Sequence, residues 1–281
     1  MPPTNKKLSI GFSPCPNDTF IFHGLVHGLV CGNKIGLDRE VITDVETLNE
    51  WAMSARLDIT KISFHAFGHV LDNYVLLSAG SALGRGCGPL LVTGPKGTSG
   101  RLSEKIVAIP GRFTTAAMLL KLFAPECKNT VAMRFDDIME SISKGKVDAG
   151  VIIHESRFTY RQHGFKLIRD LGEWWEDKTG SPIPLGGIAA RRSLGKDLIS
   201  KIDQCIRESV QHAFSNPGQC MEYIRRHAME MDDAVISDHI KLYVNNYSKD
   251  LGPEGIEAVQ EFFRLGREVG IIPQSDNSLQ I

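Results

Sequence analysis

Apolar and polar positions follow a recurring order along this chain: a short apolar run, a polar turn, then a stretch with helical spacing. Residues 8–12 (LSIGF) read as a strand, followed by the turn Ser13-Pro14-Cys15-Pro16-Asn17-Asp18 and a helix from about Thr19. A second strand lies near 39–43, and Val45-Glu46-Thr47-Leu48-Asn49 opens a helix through Trp51 to Ala55. The run Ile59-Thr60-Lys61-Ile62-Ser63 feeds a helix over about 64–71. This alternation predicts βαβ units, hence an α/β chain with a mainly parallel sheet.

The rhythm breaks at 80–94, where glycines stand at 80, 84, 86 and 88 before Pro89-Leu90-Leu91-Val92 resumes as a strand. Neither GxxxxGK[ST] nor a GxGxxG that opens a helix fits this stretch, so a crossing between lobes is expected rather than a phosphate loop. Strand and helix patterns then return: Lys105 to Ile109, the helix AAMLLKLF after Thr115, Thr130 to Phe135, the helix DDIMESISKGK from Asp136, and a buried strand at 150–153 that ends at His154. The Gly/Pro-rich stretch 180–188 (GSPIPLGGI) reads as the return crossing, and from about 193 the chain is mostly helical. Two crossings predict two lobes, residues 1–92 with 189–281 and residues 93–188, in a two-lobed periplasmic-binding-protein type II-like fold with a central ligand cleft. That last step is an analogy with a known fold.

Length and composition agree with this outline. A chain of 281 residues with 42% hydrophobic and 23% charged residues has the makings of two ordinary globular lobes. Lysine plus arginine (32) nearly balances aspartate plus glutamate (33), for a formal charge of -1, which argues against nucleic acid and anionic membranes as partners. The N-terminus has no apolar run of signal-peptide type, and no stretch is long enough to span a membrane. The six cysteines are scattered without a CxxC pair, as expected of idle thiols in the reducing cytoplasm.

Ligands in open parallel sheets bind beyond the carboxyl ends of strands, so the residues there are the candidates. They are Ser13, Asn17 and Asp18 after one strand, Lys61 and Ser63 at another, Thr114 and Thr115 at a third, and His154 at a fourth. Thr114 and Thr115 suit a helix N-cap; equally, the N–H groups of Thr115 and Ala116 at a helix start suit a carboxylate. Asp18 reads first as a helix cap. His154 ends a buried run yet precedes Glu155-Ser156-Arg157, and an imidazole there removes a proton near neutral pH without large tuning. Adjacent strand residues point to opposite faces, so Glu155 is a poor orienter for it. Cys15, between two prolines, reads as a packing thiol. His23 with His27, and His65 with His69, each share a helix face but lack a third ligand, so no metal is expected, and no cofactor either. Trp51, Trp174 and Trp175 read as packing residues.

At these same residues the chain resembles the 1,4-dihydroxy-6-naphthoate synthase family of the futalosine route to menaquinone. The likeness is carried in order by SPCPNDTFIFHGLVHG (13–28), DVETLNEWA (44–52), ALGRGCGPLLV (82–92), PGRFTTA (110–116), IIHESRFTY (152–160) and LGEWWEDKTGSPIPLGGI (171–188). It implies a lyase that acts on cyclic dehypoxanthine futalosine, a small molecule carrying a carboxylate, and releases a five-carbon fragment. It further implies His154 as general base, with Lys61, Ile62, Ser63, Thr115 and Ala116 as ligand contacts and Asn49 as a further one. The rival expectation is a non-catalytic solute-binding protein for a small carboxylate on the same fold, disfavoured because such proteins carry export signals. A transcription-regulator effector domain is a third reading, disfavoured because no helix-turn-helix precedes the first strand.

Overall fold

The computed structural model describes residues 7–32, 34–229 and 232–280. In chain order its first part runs β1 (Ile10–Phe12), α1 (Pro16–Val26), β2 (Val41–Ile42), α2 (Val45–Met53), β3 (Ile59–Ser63), α3 (Phe64–His69), β4 (Tyr74–Leu76) and β5 (Ala82–Gly84). Then come β6 (Leu90–Thr93), β7 (Val107–Ile109), α4 (Thr115–Phe123), β8 (Thr130–Ala132), α5 (Asp137–Ser143), β9 (Ala149–Ile152), α6 (Ser156–Thr159), β10 (Lys166–Asp170), α7 (Leu171–Thr179) and β11 (Ile183–Arg191). The remainder is helical: α8 (Lys196–Ser215), α9 (Pro217–His227), α10 (Asp233–Tyr243), α11 (Asn246–Lys249) and α12 (Gly252–Glu268).

The strands form two sheets. One has the order β2-β1-β3-β11-β4 with β5 on β11; the other has the order β10-β6-β9-β7-β8. Each is mixed rather than mainly parallel. The βαβ units pair in parallel (β1 with β2 and β3, β7 with β8 and β9), whereas β11 runs antiparallel to β3, β4 and β5, and β6 antiparallel to β9 and β10. The antiparallel strands are those beside the crossings, where the chain enters a sheet from the opposite end.

Sheet membership changes between Gly84 and Leu90 and again between Thr179 and Ile183, some residues before 92/93 and 188/189. The second difference has a clear cause. The glycines that make 180–188 look like a loop lie mostly inside β11, the longest strand, because the packing leaves no room for a side chain. A Cβ on Gly186 would meet the Ile62 carbonyl oxygen at 2.7 Å, and one on Gly187 would meet Leu76 Cδ1 at 2.5 Å. α1 likewise starts at Pro16, ahead of the expected Thr19. Proline suits the first helical position, and the Cys15 carbonyl accepts the first helical bond from the Thr19 N–H at 3.0 Å.

One apolar cluster packs the first sheet against α1, α8, α9 and α10. The largest cluster joins the two halves: Phe64 and Phe67 of α3 share it with Leu91, Val107, Leu119 and Trp175 of the second half and with Phe262 and Phe263 of α12. The sulfurs of Cys31 and Cys205 lie against each other, their Cα atoms 5.4 Å apart. Cys15, Cys87, Cys127 and Cys220 are free and buried. Among the described residues no helix is long and apolar enough to cross a membrane.

Candidate active site

Where the two sheets face each other lies a cleft of about 660 Å³, counting its open mouth. Ser13, Asn17, Asp18, Lys61, Ile62, Ser63, Thr114, Thr115, Ala116 and His154 all line it. Thus residues from four strand ends, two on each sheet, converge as the rule for open sheets requires.

The floor on the first-sheet side is a satisfied polar network. Lys61, 5% exposed, puts Nζ 3.0 Å from Asp18 Oδ1 and donates to the Gly80 carbonyl at 3.0 Å. Asp18 also accepts from the Ser13 hydroxyl at 2.7 Å and from Asn17 Nδ2 at 2.8 Å. Its carboxylate is therefore the counter-charge of Lys61 rather than a simple helix cap. Their charges cancel, and an ammonium has three donors, so one N–H of Lys61 remains for a ligand. Asn49 does not line the cleft but lies behind it, fully buried. Its Oδ1 accepts the Ser63 N–H at 2.9 Å, and its Nδ2 donates to Ser63 Oγ at 3.1 Å. The Ser63 oxygen thus receives a proton from behind and keeps its own for the cleft.

The opposite wall is the start of α4. Thr114 caps the helix, its Oγ1 accepting the Ala117 N–H at 3.2 Å, while the N–H groups of Thr115 and Ala116 have no partner among the described residues. Three groups beyond this segment fix its backbone. Glu46 accepts the Phe113 N–H at 2.9 Å, His65 Nδ1–H donates to the Thr114 carbonyl at 3.1 Å, and Thr115 Oγ1 donates to the Leu185 carbonyl at 2.6 Å. His65 is 2% exposed, and burial, with His69 adding, pushes its pKa down to about 3, so the ring is neutral. His65 therefore holds the helix start in place. Among the described residues no cluster of three or more metal-binding groups occurs.

His154 stands two residues past the end of β9 in the left-handed region, φ +56°, where residues other than glycine are strained. Its Nδ1 lies 3.3 Å from Cys15 Sγ, and its Nε2 is closed off from water with no hydrogen-bond partner. A buried polar atom left unpaired costs about 1–3 kcal/mol, which is tolerated at sites where a partner arrives with the ligand. Phe135 packs edge-on at 4.8 Å, and the His239 ring lies nearly parallel at 6.2 Å.

Three side chains around the site were invisible in the sequence pattern. Cys15 read as packing, and nothing pointed to His239 or Tyr243, which arrive on α10 from the distant C-terminal part. His239 Nε2 meets Asn17 Oδ1 at 2.9 Å; because Asn17 turns its Nδ2 to the Asp18 carboxylate, the histidine must be the donor. Burial pushes its pKa well below the usual range, so it stays neutral. Tyr243 lines the cleft, and burial pushes its phenol upward, keeping it a proton donor. The tryptophans are elsewhere: Trp175 packs on Phe262, Trp174 on Phe123, and Trp51 under Arg56.

Residues 8–268 match the family described as menaquinone biosynthesis. A 1,4-dihydroxy-6-naphthoate synthase of Thermus thermophilus is 48% identical over 272 residues, spanning 97% of this chain and 98% of the relative. The enzyme of the same name from Streptomyces coelicolor is 42% identical, spanning 95% of each. In structure, protein AF1704 from Archaeoglobus fulgidus superposes with a TM-score of 0.89 at 35% identity, over 95% of this chain and 98% of that one. The alkanesulfonate-binding protein SsuA from Xanthomonas axonopodis, bound to MOPS, gives 0.71 at 11% identity over 95% and 94%, a likeness of fold alone. The fold is thus periplasmic-binding-protein-like, and this chain, matched nearly end to end, belongs to the menaquinone-biosynthesis family and is an enzyme of that biosynthesis.

Proposed function

We propose that the enzyme is a carbon–carbon lyase that converts cyclic dehypoxanthine futalosine to 1,4-dihydroxy-6-naphthoate in the cytoplasm, with His154 as general base. The observation that carries this reading is His154, which lines the same cleft as Lys61 and the start of α4 and whose Nε2 has no partner. An imidazole nitrogen without a partner suits abstraction of a proton from a bound carbon acid. The substrate carboxylate has two places to go. The paired Lys61 offers one N–H, whereas the α4 start offers two free N–H groups and the positive end of the helix dipole, which favours it. Ser63 and Tyr243 then face developing oxyanions with hydroxyl protons. Once the proton leaves, opening of the spiro centre expels the five-carbon fragment and yields an aromatic ring, which drives the step forward.

The test is incubation of the purified protein with cyclic dehypoxanthine futalosine. The expected result is growth of naphthoate absorbance with release of the fragment. Stable binding of the compound with no product would instead identify a binding protein on this fold.

A further inference from the structure

We infer that Cys15 is a positioning residue for His154: its sulfur, reaching from the first half of the chain to the second, accepts the imidazole Nδ1–H and so leaves the Nε2 lone pair for the ligand. This rests on the assignment of His154 as base and adds the group that sets its tautomer. Cys15 follows β1 of the first sheet, and His154 follows β9 of the second. Their contact at 3.3 Å joins the two halves.

The sulfur is held firmly. Cys15 lies between Pro14 and Pro16, its carbonyl accepts the N–H groups of Asp18 and Thr19 at 3.0 Å, and its own N–H points to Ser13 Oγ at 3.4 Å. The residue is 3% exposed. Burial, reinforced by the carboxylates of Glu155 and Asp18, pushes the thiol well above its ordinary range, so a thiolate–imidazolium pair does not form.

A neutral thiol and a neutral imidazole can meet in two ways. If S–H donated to Nδ1, the proton of the ring would sit on Nε2, a buried donor with no acceptor. If Nδ1–H donates to sulfur, the orphaned atom is only a lone pair, the more tolerable of the two in protein interiors. Phe135 and His239 pack on the ring and the backbone sits at positive φ, so the ring is held with Nδ1 towards the sulfur. Sulfur is a weak acceptor, so it orients the ring without trapping the proton that the ring takes up. A carboxylate in that place would hold the imidazolium more tightly.

The experiment combines nitrogen NMR with kinetics. In protein carrying 15N-histidine, the His154 signals are those lost in His154→Gln, and long-range coupling reports which ring nitrogen carries the proton. The expected wild-type result is protonated Nδ1 and bare Nε2. Cys15→Ala should lose that preference, and Cys15→Ser, which keeps an acceptor, should restore it. With cyclic dehypoxanthine futalosine, Cys15→Ala should lower kcat about five- to tenfold at unchanged KM and move the acid limb of the kcat profile, and Cys15→Ser should recover both. A proton on Nε2 in the wild type, or a tautomer indifferent to Cys15→Ala, overturns the inference. Failure of the base assignment looks different: His154→Gln would keep turnover, whatever the NMR shows.

Discussion

At the start of α4, hydrogen bonds with Glu46, His65 and the Leu185 carbonyl fix a segment with free N–H groups; at the end of β9, a single sulfur contact and two packed rings hold His154. The first region is held by several hydrogen bonds. The second sits at positive φ with an unpaired nitrogen. The difference fits the tasks proposed for them. A cradle for an anion works best preformed, because rigid donors need no reorganisation when charge arrives. A base must keep one atom unsatisfied until the ligand supplies its proton, so its stability cost cannot be removed from within the fold.

The largest effect is expected on the Lys61–Asp18 side of the cleft. Lys61→Met leaves the Asp18 carboxylate, 2% exposed, without its counter-charge, and should cost about 3–5 kcal/mol. Urea unfolding measures this; a loss below 1 kcal/mol would mean that the pair is not buried in solution. The double change Lys61→Met with Asp18→Asn should recover part of the loss.

Next in size is the acid response of the cradle. His65 has its folded pKa depressed from 6.5 to about 3, so its contribution to stability is complete above pH 6.5 and is lost as pH falls towards 3. At 1.36 kcal/mol per unit this amounts to about 2 kcal/mol by pH 5. His23, His69, His227 and His239 are shifted in the same direction and add to the trend. Thermal melts across pH 5–7.5 should show the fall, and His65→Asn should flatten it. An unchanged slope in that variant would remove His65 from the account. Smallest is the cap: Thr114→Ala should cost about 1 kcal/mol and raise KM more than it lowers kcat, because it loosens the cradle and leaves the base alone. A fall in kcat at constant KM would merge the two regions into one.

The parts of the molecule that local sequence determines were legible. Residues 59–63 form β3 over their whole length, because the run is bounded by a polar turn and a helix start. The strand-end rule then brought Ser13, Lys61, Ser63, Thr114, Thr115 and His154 to one cleft. What escaped depends on distant packing. Proline and glycine both signal a loop locally, yet Pro16 takes the first helical position that suits it, and Gly186 and Gly187 sit inside a strand because of neighbours far along the chain. Cys15 and His239 gain their roles from atoms 139 and 222 residues away respectively, and no periodicity encodes that. Asn49 was read as a ligand contact, but it lies one layer back and holds Ser63.

The proton-abstracting role of His154 is open to one direct measurement: turnover and affinity of His154→Ala with cyclic dehypoxanthine futalosine. A general base contributes about 10²- to 10⁴-fold, so kcat should fall by at least that lower factor while the dissociation constant stays within a few-fold of wild type. Turnover at the wild-type rate would contradict the account, whatever the cleft's shape suggests.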